Sequence, residues 1–219
     1  DTSSKTFLHT SLSNRDDYYF ERFTPSNIID AMRSLKNGKS AGRDNVYAEH
    51  FKFAHDSVGV LLSLCFNAMF IHGYIPQGVM DTILVPIIKD KKGNVTDSDN
   101  YRPVALTCVS SKILELMLLY RYKDYFTTTC NQFGFKTQLG ADMCVYTFKQ
   151  VVDYYRSLSS PVYVAYLDAS KAFDRINHYH LMSKLIKRKL PIIVVRLLYF
   201  WYKNQNFMVR WGSVLSDQF

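Results

Sequence analysis

One segment of the chain, residues 161–174 (PVYVAYLDASKAFD), constrains the fold more than any other. Its first half alternates two sets of residues that are both largely apolar, a pattern that predicts a strand buried on both faces. The strand would end on one carboxylate, Asp168, followed by small residues that suit a tight turn. A charge at the mouth of a buried strand needs compensation, and a divalent cation is the obvious candidate. The alternative is a helix cap, in which Asp168 accepts N–H groups of the turn that follows.

The positive charge of the chain is concentrated near its C-terminal end. The 219 residues carry a formal net charge of +8, and residues 175–216 contain eight basic residues and no acidic one. Aromatic residues lie among these cations, an arrangement typical of surfaces that bind nucleic acid. For the aromatics, the alternative is an apolar core beneath a solvated helix face. The candidate nucleic-acid-binding residues, with two from an earlier loop, are Lys184, Lys187, Arg188, Lys203, Arg210, Lys39 and Arg43.

The local patterns predict helices and strands without a regular βαβ order, so the predicted fold class is α+β. Helices are predicted from Pro25 to about Asn37, over 58–71, over 112–125 with Ser110 or Ser111 as cap, over 141–158, after Asn177, and after Pro191. Further strands are predicted over 82–88 and on either side of a Gly212-Ser213 turn. The longest apolar run, 58–71, is interrupted by polar residues and too short to span a bilayer, so no membrane association is expected.

The loop at residues 36–44 contains Gly-Lys-Ser, which superficially resembles a phosphate-binding P-loop. It follows a predicted helix instead of a strand, and the upstream glycine of a P-loop is absent. The P-loop interpretation is therefore rejected, and a flexible basic loop near a nucleic-acid backbone is predicted.

Six blocks resemble, in order, the reverse transcriptases of LINE-type (non-LTR) retrotransposons, particularly jockey- or CR1-like elements. They are LKNGKSAGRD (35–44), GYIP with LVPIIK (73–76 and 84–89), NYRPVAL (100–106), KILE (112–115), NQFGFK (131–136) and the segment at 161–174, which is similar to motif A of that family. The resemblance implies a right-hand polymerase fold, with fingers over residues 1–159 and the first part of the palm over 160–219.

The resemblance also implies two-metal nucleotidyl transfer. Asp168 and the carbonyl of Ala169 would bind Mg²⁺ (or Mn²⁺), and Lys89 and Arg102 would grip the nucleotide triphosphate. Phe173 would act as a steric gate that selects deoxynucleotides, with a plain core aromatic as the alternative. Main-chain N–H groups that would cradle the triphosphate belong to Ser170, Lys171, Ala172 and Phe173. The implied partners are an RNA template, a DNA primer or target, and deoxynucleoside triphosphates.

The sequence departs from the family pattern after the motif A segment. The family's Asp-Asp hairpin is not found there, and Asp16-Asp17 lies on the wrong side of the segment. We therefore expect a piece of a longer polypeptide that by itself extends no primer. A decayed or domesticated nucleic-acid-binding remnant and a group II intron-type maturase remain alternatives. The resemblance implies a nuclear and cytoplasmic ribonucleoprotein of the parent element.

Overall fold

In a computed structural model, residues 2–13, 20–169 and 171–219 are described, and they combine α-helices with one mixed sheet. The helices are α1 (Thr2–Ser13), α2 (Pro25–Ser34), α3 (Ala48–Lys52), α4 (Asp56–His72), α5 (Gln77–Met80), α6 (Val109–Tyr122), α7 (Ala141–Ser157), α8 (His178–Lys187) and α9 (Ile192–Asn204). The strands are β1 (Thr82–Ile88), β2 (Tyr101–Thr107), β3 (Phe207–Trp211) and β4 (Val214–Leu215). The predicted mixture of helices and strands is confirmed.

The chain divides into two compact units. The first comprises Asp1–Tyr125 with Asn177–Phe219, and the second comprises Phe126–Ile176. The C-terminal segment joins the first unit because α8 packs on α1, α9 packs on α4, and β3 pairs with β1. The predicted division at residues 159/160 concerns functional subdomains of the family and stays a prediction.

Local signals place most helix ends where the sequence predicts them. Helix α2 begins after Thr24, whose side chain accepts the Asn27 N–H and completes a capping box. Helix α4 is capped by Gly73, whose φ of 62° is left-handed and suits glycine. Helix α8 begins after Asn177, whose side chain accepts the His180 N–H. In the described part of the chain, no helix is both long and apolar enough to cross a membrane.

Helix α6 starts earlier than predicted. It begins at Val109 with Cys108 as its N-cap, so neither Ser110 nor Ser111 is the cap. The Ser111 hydroxyl lies inside the first turn and donates to the Cys108 carbonyl at 2.7 Å. Because Val109 is buried, packing extends the helix back to the end of β2.

The sheet has the order β2-β1-β3-β4. Strands β1 and β2 pair antiparallel along their whole length, whereas β1 and β3 pair parallel only over Thr82–Leu84 and Phe207–Val209. Strand β4 returns antiparallel to β3 after Gly212, which has a φ of 60°. The predicted strand over 82–88 and the predicted turn at Gly212-Ser213 are confirmed.

Two prolines face each other in the β1–β2 pair without interrupting it. Pro86 lies opposite Pro103, while the Lys89 N–H donates to the Asn100 carbonyl at 2.8 Å. Hydrogen-bonded pairs alternate along an antiparallel ladder, so the proline pair occupies a position that needs no N–H donor across the pair. The Pro86 nitrogen faces the β3 side, where the pairing has already ended at Leu84.

Residues 161–169 form no strand, contrary to the prediction. Tyr163 is 92% exposed and Leu167 100% exposed, so the segment is not buried either. Its apolar alternation favours a strand, but a strand is stabilised by a hydrogen-bonded neighbour and by packing of its side chains. All four strands of the sheet lie in the first unit, and none of the described residues of the second unit is buried.

Candidate functional site

The β1–β2 hairpin presents two candidate nucleotide-binding cations on one face. Arg102 lies opposite Ile87, and the register continues to Lys89, whose N–H donates to Asn100. Lys89 directly follows β1, and its hydrogen bond extends the ladder by one pair, so the alternation of faces along a strand makes Lys89 and Arg102 diagonal neighbours. The structure therefore brings together two side chains that the resemblance assigns to one task.

These two cations differ in their contacts. Arg102 is exposed, and none of the described residues forms a hydrogen bond or ion pair with its guanidinium. Lys89 donates from Nζ to the Asp99 carbonyl oxygen at 2.7 Å. An ammonium group has two further N–H donors, so Lys89 can hold this contact and still bind an anion.

Asn100 organises the loop between the two strands, a role that the sequence analysis missed. Its Oδ1 accepts the Asp90 N–H at 3.0 Å, and its Nδ2 donates to the carbonyls of Asp90 at 3.0 Å and Asn94 at 3.2 Å. The available signal was an asparagine at the end of a polar loop, directly before Tyr-Arg-Pro. This side chain fixes the base of the loop beside Lys89.

In the second unit, Asp168 is exposed, and none of the described residues donates a hydrogen bond to its carboxylate. The helix-cap alternative is therefore not observed among these residues. A turn does follow, because the N–H groups of Asp174 and Arg175 both donate to the Lys171 carbonyl, at 3.1 and 3.2 Å. Lys171 itself has a left-handed φ of 50°. The prediction for Ser170 lies outside the described residues.

Phe173 contacts another of the family-like blocks. It is 75% exposed, and its ring meets that of Phe135 edge-on, with centroids 6.3 Å apart and planes at 88°. The alternative of a buried core aromatic is not observed. The neighbouring Ala169 and Ala172 are also exposed, so the chain is open to a ligand at these two positions.

The described residues do not assemble a metal site. Asp168 and the Ala169 carbonyl offer hard oxygen ligands of the kind that Mg²⁺ prefers. However, no group of three or more His, Cys, Asp or Glu side chains that could hold a metal ion occurs in the part of the chain that the structure describes. A two-metal centre needs more carboxylates than Asp168 alone, so the donor set does not fit a resident metal without further ligands.

The candidate nucleic-acid-binding cations fall into two groups. Lys184 and Lys187 on α8 and Lys203 at the end of α9 are exposed. Arg188 instead donates to the Tyr125 carbonyl at 3.3 Å. The first group remains available to a polyanion, whereas Arg188 also holds the fold.

Arg43 is bound by a buried acid that the sequence analysis missed. Its Nη1 lies 2.8 Å from Oδ2 of Asp81, whose side chain is 7% exposed. The other oxygen, Oδ1, accepts from Gln77 at 3.0 Å and Gln218 at 3.1 Å. The ion pair connects the loop at residues 36–44 to the start of β1. No local sequence pattern predicts this ion pair.

A second acid shapes the other end of that loop. Glu49 Oε1 accepts the Gly38 N–H at 2.6 Å. Two hydrogen bonds hold the pKa of Glu49 below its ordinary value of 4.5. The larger effect comes from the Gly38 N–H, and the smaller one from the N–H of Glu49 itself. Beyond this turn, Lys39 and Arg210 line one polar cavity, so two more of the predicted cations are brought together.

With this geometry established, comparison with known proteins gives a consistent result. The family model described as "Reverse transcriptase (RNA-dependent DNA polymerase)" matches residues 88–216. The chain is 27% identical over 189 residues to the probable RNA-directed DNA polymerase from transposon BS of Drosophila melanogaster, covering 84% of the chain and 20% of that relative. It is 28% identical over 185 residues to the RNA-directed DNA polymerase from mobile element jockey of Drosophila funebris (81% and 20% covered). Identity to the jockey polymerase of Drosophila melanogaster is 31% over 175 residues (77% and 19% covered). The chain spans about a fifth of the length of these relatives.

Proposed function

The chain belongs to the reverse transcriptase (RNA-dependent DNA polymerase) family, and from this premise we propose that it supplies the fingers and first part of the palm of an RNA-directed DNA polymerase from a non-LTR retrotransposon. The observation that carries the proposal is the placement of Lys89 and Arg102 on one face of the β1–β2 hairpin. This hairpin joins two of the blocks that match the family.

The proposed reaction joins a primer 3′-hydroxyl oxygen to the α-phosphorus of a deoxynucleoside triphosphate. The 3′-hydroxyl gives up its proton to water, the bond between the α-phosphorus and the oxygen that bridges it to the β-phosphorus breaks, and pyrophosphate leaves with the developing negative charge. Lys89 and Arg102 would bind the triphosphate and stabilise this charge, Arg102 through paired N–H donors. An RNA strand would be the template.

The turn after Asp168 would hold the sugar and phosphates of the nucleotide. Main-chain N–H groups of Ser170, Lys171, Ala172 and Phe173 would donate to the triphosphate, and the exposed ring of Phe173 would exclude a 2′-hydroxyl. The family generally uses divalent metal, Mg²⁺ or Mn²⁺. Asp168 would contribute one carboxylate to that metal, and the others must come from beyond the described residues.

A second candidate is a nucleic-acid-binding remnant without catalysis. It is favoured by the lack of a carboxylate cluster among the described residues. Reading the genomic sequence past the codon for Phe219 separates the two candidates. An open frame that encodes an Asp-Asp hairpin supports the polymerase, and stop codons before it support the remnant. For the polymerase candidate, we propose a nuclear and cytoplasmic ribonucleoprotein of the parent element as its location.

The polymerase proposal predicts that Asp168→Asn abolishes primer extension. The measurement uses the reading frame extended through that hairpin, an RNA template and a DNA primer. We expect extension to fall by at least about a hundredfold, because a metal-held charge contributes several kcal/mol to the transition state. Asp153→Asn, an exposed change on α7, is the matched control and should retain activity. Full extension by the Asp168→Asn protein would refute the assignment.

A further inference from the structure

Two cations far apart in the sequence line one cavity of about 350 Å³ in the first unit. The lining residues are Gly38, Lys39, Ser40, Ala41, Asn45, Tyr47 and Arg210. The cavity therefore lies between the loop after α2 and strand β3, and no acidic side chain lines it. Among the described residues, neither Lys39 nor Arg210 has an ion-pair partner.

The loop side of the cavity offers hydrogen-bond donors that the protein does not use. None of the described residues hydrogen-bonds to Lys39, Ser40 or Ala41. An ammonium, a guanidinium and a hydroxyl together favour a ligand rich in acceptor oxygens.

The loop is held in place at both ends. On one side, the Gly38 N–H donates to Glu49, and the left-handed φ of 68° at Gly38 shapes the turn. On the other, Gly42 packs so closely that an added Cβ would lie 2.7 Å from the Cys108 nitrogen. A loop fixed in this way loses little conformational entropy when a ligand binds.

Strand register places Arg210 on the same side of the sheet as Arg102, beyond the buried Ile83 and Met208. Met208 pairs with Ile83, so Arg210, two residues on, shares the sheet face of Ile87 and Arg102. Strands β3 and β2 are two strand spacings apart, about 10 Å. Beyond those buried residues, this side of the sheet carries Arg210 on β3 and Arg102 on β2, so one nucleic-acid strand can contact both cations.

We infer that this cavity binds one backbone phosphate of a nucleic-acid strand, held jointly by Lys39 and Arg210. The inference rests on the proposed function for its choice of a polymer as the ligand. It gives the Gly-Lys-Ser sequence a phosphate-binding role unlike that of a P-loop, because the loop follows helix α2 and takes its second cation from β3.

The test measures binding of the 219-residue protein to a fluorescently labelled single-stranded RNA by anisotropy over a range of salt concentrations. Lys39→Ala and Arg210→Ala should each weaken binding about tenfold, as expected for a charge-assisted hydrogen bond. The double variant should reduce the slope of log affinity against log salt by about 0.7, the value for one phosphate of a single strand, and each single variant should reduce it by less, because the other cation still neutralises that phosphate. Because both cations hold the same phosphate, the double variant should lose less affinity than the product of the single losses.

Two further variants separate charge from geometry and location. Arg210→Lys keeps the charge and should retain the salt slope with a smaller loss of affinity. Lys123→Ala removes an exposed lysine outside the cavity and should change the slope less than Arg210→Ala. Circular dichroism of each variant confirms that the helices are retained.

Several outcomes would overturn the inference. The inference is wrong if the wild-type protein does not bind the RNA, or if the single variants bind like wild type at every salt concentration. It is also wrong if the affinity lost by the double variant equals the product of the two single losses. Competition experiments identify the source of the phosphate. A deoxynucleoside triphosphate or inorganic phosphate is added to the complex of protein and RNA. If either displaces the RNA, and this displacement depends on Lys39 and Arg210 in the same way, a polymer site is refuted. Primer extension is a separate readout, so the polymerase proposal can fail while these binding effects persist.

Discussion

Arg196 donates from Nη2 to the carbonyls of Phe70 and Ile71, at 3.0 and 2.8 Å, in the last turn of α4. By sequence it belongs to the cation-rich stretch that we interpreted as a nucleic-acid surface. A guanidinium suits both tasks, because carbonyl oxygens at a helix end and phosphate oxygens both accept its N–H groups. Arg43 and Arg188 are likewise engaged with Asp81 and Tyr125. Charge counts therefore overstate how much of this region is free to bind a polyanion.

At the same scale, Glu49 should make stability depend on acid. Its pKa is lowered in the folded protein, chiefly by the Gly38 N–H. The carboxylate therefore stabilises the fold fully above its ordinary pKa of 4.5, and this stabilisation is lost as the pH falls through the folded pKa. Glu49→Gln should therefore lower the melting temperature at neutral pH, and the difference from wild type should shrink on acidification. Thermal unfolding followed by circular dichroism between about pH 3 and 7 measures this. A difference that is constant over the whole pH range would contradict the assigned role of the carboxylate.

At the scale of elements, the β1–β2 hairpin joins a regular ladder to a loop closed by one side chain. The ladder runs from Thr82↔Thr107 to Ile88↔Tyr101, and the Tyr101 hydroxyl donates to the Val95 carbonyl at 2.8 Å. Asn100 then closes the loop with three side-chain hydrogen bonds. Hairpin and loop together set the positions of the two cations proposed to bind the triphosphate.

Asn100→Ala should loosen this loop without unfolding the hairpin. Removing three exposed hydrogen bonds should cost about 1–2 kcal/mol, because each contributes roughly 0.5–1.5 kcal/mol net and solvent replaces part of it. Hydrogen exchange should accelerate at Asp90, whose N–H is the donor to Asn100, and change little at Val85. Thr96→Val is the control, since its hydroxyl bonds only to Asn94 within the loop. Unchanged exchange at Asp90 would show that the side chain does not hold the loop.

At the scale of the whole molecule, the two units differ in how they are stabilised. The first has a core of fully buried large side chains, among them Phe23, Phe66, Phe70, Ile113 and Met182. Each such side chain contributes about 1.5–3 kcal/mol when buried. The second unit has helix α7 and several ring contacts, such as Phe148 with Tyr166, but no buried residue among those described.

This difference predicts uneven protection against hydrogen exchange. In the 219-residue protein, amides of α4 and α6 should exchange slowly, and those of α7 and residues 161–169 should exchange faster by at least about tenfold. The reason is that an isolated helix of this length is marginal in water, and an unpaired extended segment has no ladder bonds to break. Exchange followed by mass spectrometry measures the contrast. Equal protection of α7 and α4 would contradict this account of the second unit.

The sequence by itself determined the features whose causes are local. The capping side chains of Thr24 and Asn177 and the left-handed glycines Gly73 and Gly212 act within a few residues, so their positions can be read directly. The order of the family-like blocks likewise indicated the family without any coordinates.

Only the tertiary structure decided what depends on distant partners. Residues 161–169 have the apolar pattern of a strand, but none of the described residues pairs with them. Pairing needs a second segment, which a local pattern cannot supply. The burial of Asp81 beneath Arg43 and the parallel β1–β3 pairing that carries Arg210 to Lys39 arise in the same way. Each is a contact between segments far apart in the chain, set by packing and hydrogen-bond geometry.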